Sequence, residues 1–546
     1  MLPGGLGQAA SVIEVEALDA DACYRAVRGK DGRFDGVFYF GVSSTHIYCR
    51  PSCPANTAKQ ANLTYYRTAA AAQAEGFRAC KRCRPDAAPG SPEWNVRSDS
   101  VGRSMRLIAD GVVDRVGVAG LARQVGYSER QLNRQLVAEL GVGPLALARS
   151  QRARTARILL ETSTISMSDV AFAAGFNSIR QFNETIREVF DATPSQLRDR
   201  NAKRSESARE RPVAAEAGSV VEFPPPGSTR VRLAYRQPMN VRGVLDFLGQ
   251  RAVTGIEDYR DGVFYKALAL PIGSGVAALR VADVPEGARS ALGWVDCDVW
   301  LDDLRDLTAA VARCRRMLDL DSDPVAIDEY LAQDPLLHPL VVANPGSRMP
   351  GSTDPNEVAF RVVIGQQVST AGARTVAARL VKQYGRPLRT PVGAVTHSFP
   401  TPGAIVEADP ADLAMPTSRK RAIKSLATAL ADESLVLSAG SDWAQIESEM
   451  LDLHGIGPWT VAAVRMRGLG DPDVFLSTDL GVQKALARAG VTGSPRELES
   501  YSQQWRPWRS YTTHHLWASL EAASGQNSTN RTTNRLAGHD LPQESR

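Results

Sequence analysis

The sequence predicts a multidomain α+β fold, and three observations predict it. Two cysteine pairs, C-x3-C at Cys49 and Cys53 and C-x2-C at Cys80 and Cys83, sit close together near the amino end. A duplicated helix-turn-helix pattern fills the block that follows. Beyond a linker ending in three prolines, short apolar runs around one amphipathic helix lead into a block of helical periodicity. At 546 residues the chain has room for three or more domains. The expected order is a small cysteine-anchored domain at 20–86, an all-α domain at 97–200 and a linker at 201–229. A small α+β domain at 230–305, an all-α domain at 306–523 and a disordered tail at 524–546 complete it. AAPGSPEWN at 87–95 is a second linker. The longer linker predicts flexible tethering of the two halves rather than a fixed interface.

Charge and composition exclude little. The 64 basic and 60 acidic residues leave +4, so nucleic-acid binding has to rest on local clusters. No run of about 18 apolar residues is present, which predicts no membrane span. The opening MLPGGLGQAASVIEVEALDA lacks the basic start and apolar core of a secretory signal. Seven cysteines form no even framework, which points to a reducing compartment and so to the cytoplasm. Cys23, Cys297 and Cys314 are scattered and read as small buried hydrophobes.

The paired cysteines come first in the argument. Four thiolates at this spacing are the ligand set of one closed tetrahedral zinc site. Spacing alone leaves two roles open: a staple for a small fold, or a staple with a reactive thiolate. GVFYFGVSSTHIYCRPSCPAN followed by EGFRACKRCRPD resembles the amino-terminal domain of the Ada family of DNA-alkylation-repair regulators. Ala79 departs from the proline usual there. The resemblance implies that Cys49 is both ligand and acceptor of a methyl group from a DNA methylphosphotriester. Methylating one thiolate takes a Zn(Cys)4 centre from about −2 to about −1, which weakens its repulsion of the phosphate backbone. Arg78, Lys81, Arg82 and Arg84 surround the second pair and are candidate phosphate contacts.

Residues 101–200 hold 14 Arg against 10 Asp or Glu. GVAGLARQVGYSERQLNRQLVAELG and SMSDVAFAAGFNSIRQFNETIREVFD share one pattern: a short helix, a Gly-aromatic turn, and a polar cap opening a second helix. Gly126 and Gly175 supply the turns, and Ser128 and Asn177–Ser178 the caps. With FNETIREVFDATPSQLR behind it, this block resembles the tandem helix-turn-helix of the AraC family of transcription regulators. Arg130, Gln131 and Arg134 on the first recognition helix, and Arg180, Gln181 and Asn183 on the second, are side chains able to read base edges. RNA polymerase is the further partner that an activator implies.

In the last block LHGIGPWTVAAV sets a Gly-Ile-Gly turn between two helices, where the amides of Gly455, Gly457 and Thr460 can approach a phosphate. Asp479 follows Gly457 by 22 residues in VFLSTDLGVQKAL. It reads either as a helix N-cap or as a catalytic carboxylate. RPWRSYTTHHLWASL, RVVIGQQVSTAGA and VRGVLDFLGQRAVTGIEDY complete a resemblance to AlkA-type 3-methyladenine DNA glycosylases, helix-hairpin-helix enzymes, over residues 230–523. The resemblance implies that Asp479 is catalytic and that Trp459, Trp517 and Phe247 line the base pocket. It places Gln367 where the family has a leucine wedge and Ala463 where it has a pocket tyrosine. Trp459 stands where bifunctional relatives carry a Schiff-base lysine, so base removal without strand cleavage is implied. A monovalent cation at the hairpin, held by carbonyls of Leu453 and Ile456, is implied as well.

N3-methyladenine and N7-methylguanine are cationic and leave readily once flipped, and a carboxylate stabilises the oxocarbenium-like sugar they leave behind. The chain has no P-C-H-R acceptor motif, so direct O6-methylguanine repair is not expected. The reading is a repair enzyme and regulator acting on double-stranded DNA, most simply as a monomer. A regulator with a degenerate glycosylase domain, or a glycosylase with a purely structural zinc module, stays open on sequence alone.

Overall fold

The computed structural model describes residues 18–87, 91–93, 97, 99–163, 165–199, 227–282, 292–409 and 415–520. The tail expected at 524–546 lies outside these residues, as do most of the two linkers at 87–95 and 201–229.

The amino-terminal unit is a four-stranded sheet in the order β3-β1-β2-β4, made of Tyr39–Val42 (β1), Ile47–Cys49 (β2), Leu63–Tyr66 (β3) and Arg78–Ala79 (β4). A helix at Ala20–Gly29 packs its buried Cys23, Ala26 and Val27 against it. The helices of the tandem helix-turn-helix follow, with Glu129–Leu140 and Ile179–Phe190 as the recognition helices. Ser128 caps the first in a reciprocal capping box, and Ser178 caps the second. The long helix Pro144–Thr162 joins the two halves.

The next unit is an antiparallel five-stranded sheet in the order β5-β9-β8-β7-β6. Its strands are Thr229–Arg236 (β5), Glu257–Arg260 (β6), Val263–Ala269 (β7), Ser274–Val281 (β8) and Leu292–Leu301 (β9). The helix read from VRGVLDFLGQRAV forms at Val241–Gln250 and buries Val241, Val244, Leu245, Phe247 and Leu248, the stripe its spacing dictates. Cys23, Cys297 and Cys314 are buried, as expected of small core residues.

Two expectations are corrected. Residues 306–523 are not helical throughout: Arg386–Val392 (β10) and Val395–Ser398 (β11) pair as an antiparallel hairpin. Pro387 and Pro391 forbid a helix there, and Gly393, at φ +59°, supplies the turn.

The second correction concerns tethering. The halves meet in a continuous core in which Tyr48 and Phe77 of the first sheet, Phe182 and Ile186 of the second helix-turn-helix, and Leu233 and Phe264 of the second sheet belong to one cluster. Polar ties span it. Arg236 donates to the carbonyl of Asp35, Thr155 and Thr308 share a hydrogen bond of 2.8 Å, and Asp110 takes Arg313 and Arg316 at 3.3 and 3.2 Å. Arg103 and Arg106 each donate at 2.6 Å, to the carbonyls of Gly440 and Ala439. A Cβ on Gly440 would stand 2.4 Å from Leu107, so the close approach needs glycine there. Linker composition reports how a chain can move, whereas the apolar faces at its two ends decide whether it does.

The sheet is fastened to the helical block by buried charge. Lys266, 2% exposed, reaches Glu257 at 3.0 Å and Glu357 at 2.6 Å, and Arg361 bonds both carboxylates at 2.8 Å. Lys266→Met leaves two buried carboxylates sharing one guanidinium. It is expected to cost roughly 3–5 kcal/mol, read as a lowered thermal midpoint. A midpoint within a degree or two of wild type would show that the network is dispensable.

Candidate metal centre, DNA-facing surface and active site

Sheet register assembles the cysteine cluster. Strands β2 and β4 run parallel with Tyr48 opposite Ala79, and Cys80 N–H donates to Tyr48 O at 3.0 Å. That places Cys49 and Cys80 side by side at the ends of neighbouring strands. Tight turns bring in the other two: Cys53 N–H donates to Arg50 O at 3.0 Å, and Arg84 N–H to Cys80 O at 3.0 Å. All four sulfurs lie within 4.8 Å of one another and are buried. A zinc tetrahedron with Zn–S near 2.3 Å has S–S edges of about 3.8 Å, so the donor set fits Zn2+ in size and chemistry. Sequence reading did not find Asp35, which is fully buried. Its carboxylate takes the Arg50 guanidinium and the Ser52 hydroxyl at 2.6 Å each, and the Ser52 N–H at 3.0 Å, pinning the loop between the first two ligands.

The cations around the second pair are engaged. Arg78 and Lys81 meet Asp191 at 2.7 and 2.8 Å, and Arg84 meets Glu161 at 2.5 Å. Arg82 is exposed. On the recognition helices Arg130 and Arg134 are exposed, and Gln181 and Asn183 are half-buried. Arg180 holds Glu184 at 2.9 Å on the same exposed helix face, a weak pairing that a base edge or phosphate could displace. Gln131 is exposed as well, and its amide oxygen accepts from Ser128 N–H at 3.2 Å and from the Ser128 hydroxyl at 2.7 Å, closing the capping box.

In the last block Asp479 is both a helix N-cap and a carboxylate on a cavity wall. It caps the helix Leu480–Arg488, with Oδ1 accepting from Val482 N–H at 3.0 Å. Oδ1 also accepts from the Trp517 indole N–H at 3.0 Å, and Oδ2 from the Trp459 indole N–H at 3.3 Å. All three residues line one cavity of about 440 Å³, also walled by Leu248, Arg251 and Arg467. The size suits one flipped nucleotide.

Phe247 does not share that lining. It is 5% exposed, the Arg251 guanidinium lies 3.6 Å from its ring centroid, and His514 packs edge-on at 4.9 Å. Ala463 is buried in the helical core.

The hairpin joins Trp443–Leu451 to Pro458–Val464. Gly455 has φ +78°, and a Cβ there would stand 2.7 Å from Ala422, whereas Gly457 faces open space. Thr460 is 2% exposed, and its hydroxyl accepts from Gln366 Nε2 at 2.9 Å. Gln366, missed in the sequence, also reaches Gly455 O at 3.3 Å and so ties the hairpin to the loop that carries Gln367. Gln367 itself is exposed with φ +57°, thrust outward by a left-handed turn. The only sequence sign of Gln366 was the glutamine doublet. Arg251 and Arg467 were visible only as charges inside otherwise apolar helical runs.

Family models match four stretches of the chain. The model for the metal binding domain of Ada matches residues 22–86, and a helix-turn-helix domain model matches 121–200. The AlkA N-terminal domain model matches 230–354, past the limit at residue 305 expected from sequence, and the HhH-GPD superfamily base excision DNA repair model matches 360–510. The chain is 31% identical to DNA-3-methyladenine glycosylase 2 of Escherichia coli over 288 residues, 52% of this chain and 95% of that one. It is 35% identical to the bifunctional transcriptional activator/DNA repair enzyme Ada of Escherichia coli over 31% of this chain and 47% of that one. A probable bifunctional transcriptional activator/DNA repair enzyme AlkA of Mycobacterium tuberculosis is 52% identical over 503 residues, 92% of this chain and 97% of its own. The chain therefore belongs to the AlkA-type family of bifunctional transcriptional activators and DNA repair enzymes.

Proposed function

We propose that the chain hydrolyses the N-glycosidic bond of alkylated bases, 3-methyladenine and 7-methylguanine, and takes a methyl group from DNA methylphosphotriesters onto Cys49. The observation that carries the first activity is Asp479, held by two indole N–H groups on the wall of the 440 Å³ cavity. As the base leaves with the bond electrons, positive charge appears on the sugar carbon, and the fixed carboxylate offsets it. Water then adds to that carbon and sheds a proton. Trp459 offers no amine, so no Schiff base forms and the strand stays intact.

At the amino end, bound zinc holds the four thiolates deprotonated. The Cys49 sulfur attacks the methyl carbon, the methyl–oxygen bond breaks, and the phosphodiester anion leaves. The cluster loses one negative charge, and the surface bearing Arg78, Lys81, Arg82 and Arg84 repels DNA less. The same reading takes double-stranded DNA as substrate and promoter, RNA polymerase as the activator's partner, and a monomer in the cytoplasm. Among the described residues no helix is long and apolar enough to cross a membrane. A monovalent cation at the carbonyls of Leu453 and Ile456 belongs to this reading, supported by the family hairpin.

The test is to incubate the purified zinc-loaded chain with methylated duplex DNA, then measure free bases, strand breaks and the mass of the Cys49 peptide. Free 3-methyladenine without strand breaks, and one added methyl on Cys49, are expected. Release of no base would leave a regulator with an inactive repair half, and an unmodified Cys49 would leave a purely structural zinc module.

The pairing of Arg78 and Lys81 with Asp191 gives a second prediction. Asp191→Asn removes a negative charge and frees both cations for phosphate. Affinity of the unmethylated chain for duplex DNA is expected to rise about three- to tenfold at low salt, with a steeper salt dependence. Fluorescence anisotropy across a salt series checks it; an unchanged slope would mean that these cations do not meet the backbone.

A further inference from the structure

The reading above leaves the positive charge in the glycosylase cavity unused. Arg251, Arg467, Lys266 and Arg361 line it together with Asp479 and both tryptophans. Lys266 and Arg361 are matched by Glu257 and Glu357. Arg467 is different. Its Nε donates to Pro350 O at 2.8 Å, its guanidinium lies 5.2 Å from the Phe247 centroid, and among the described residues it forms no ion pair. Burial, then the neighbouring Arg251 and Arg361, lower its pKa to about 9, which leaves it charged at neutral pH. Placing a cation beside other cations in a partly apolar wall is costly, and a structural role would be met more cheaply by an apolar side chain.

We infer that Arg467 is a substrate-facing cation that drives departure of the base and sets the preference between cationic and neutral bases. The inference deepens the glycosylase reading and rests on it. When the bond between the sugar and the base nitrogen breaks, both electrons stay on the base and one positive unit appears on the sugar carbon. A cationic base leaves neutral and a neutral base leaves as an anion. In either case the base end becomes more negative by one unit. With the base seated toward Arg467 and the sugar toward Asp479, these two side chains of one cavity wall favour that shift, and both are fixed before it occurs. The ground states differ. A cationic base entering the cavity is repelled by Arg467, and a neutral one is not. The Phe247 face, which the sequence offered to a cationic base, is already covered by Arg251. Arg467 therefore raises KM for cationic bases, speeds bond breaking for both kinds, and favours neutral bases in kcat/KM.

The test compares wild type, Arg467→Met and Arg467→Lys on two duplexes. One carries 7-methylguanine, which is cationic, and the other hypoxanthine, which is neutral. Single-turnover rates and KM are measured for each. Arg467→Met is expected to slow bond breaking about tenfold on both, the size for a unit charge moving about 3 Å away in a medium of effective dielectric near 20. Its KM should fall for 7-methylguanine and stay level for hypoxanthine, and Arg467→Lys should recover part of the rate. Unchanged rates and KM in Arg467→Met would overturn the inference. So would equal losses in both variants with a lowered melting temperature, which is the mark of a packing role. If the wild type releases neither base, the glycosylase reading itself fails; if it releases them and Arg467→Met matches it, only the inference fails.

Discussion

Asp479→Asn is expected to stop base release while leaving the fold in place. The two functions of this carboxylate make the substitution informative. Asparagine keeps an oxygen for Val482 N–H and the Trp517 indole, and it is among the best N-cap residues, so the helix Leu480–Arg488 should keep its start. The charge is lost, and the amide nitrogen turned toward Trp459 cannot accept its N–H. Removing one preorganised electrostatic contact to a developing charge typically slows a reaction by about a hundred- to a thousandfold, and here a full charge is removed. A loss of at least about a hundredfold in 3-methyladenine release is therefore expected, with the thermal midpoint within about 2 °C of wild type for a chain of this size. Asp479→Ala would add the loss of the cap, about 1 kcal/mol, and would blur the two roles. Near-wild-type release by the asparagine variant would move catalysis elsewhere in the cavity and leave Asp479 as a cap alone.

Chemistry was legible in the sequence where a motif is local. The cysteine pairs needed only spacing, and the recognition helices needed only the Gly-aromatic turn and a capping serine. Asp479 stood out only through the resemblance, which places an aspartate at about this distance after the hairpin. Legibility ended where partners are far apart in the chain. Nothing local foretold that Arg236 would donate to Asp35, or that Asp110 would take Arg313 and Arg316, so a proline-ended linker suggested two loose halves. Residue type alone also did not show which polar side chains take partners within the fold. Gln131 closes its own capping box, and the Thr460 hydroxyl is tied to Gln366. Phe247 is aromatic at the expected position, but Arg251 four residues on, one helical turn away, covers its face. A sequence pattern names the side chains that can do a job; packing decides which of them are still available to do it.

Removing zinc should unfold one side of the amino-terminal sheet and abolish methyl uptake, yet spare base release. The argument rests on how little apolar surface holds that side. Among the described residues the buried cluster around the four cysteines holds Cys23, Ala26, Val27, Phe38 and Phe40, with Leu18, Val42, Ile47, Ala55, Leu63 and Tyr65 half-buried against it. The opposite side, with Tyr48 and Phe77, belongs to the core shared with the helical block and the second sheet. Zinc at such a site contributes about 10 kcal/mol or more of folding free energy at neutral pH, more than these few side chains can replace. Chelation should therefore free the Cys49–Cys53 and Cys80–Cys83 loops first. Asp35 would then lose its hold on Arg50 and Ser52, and the helix Ala20–Gly29 would loosen with it. Arg236, which also donates to Asp321 O at 3.0 Å, keeps a partner on the glycosylase side, so the cavity around Asp479 should stand. Hydrogen exchange is expected to rise over residues 20–55 and 78–86 and to stay low over 306–520, with base release within about twofold of the zinc-loaded protein. Cys53→Ser should reproduce the loosening, whereas methylation of Cys49 should not. If chelation also lowers base release in step with exchange at the cysteines, the continuous core makes the two halves one cooperative unit. If exchange at the cysteines does not change, packing against the helical block, rather than the metal, holds the sheet.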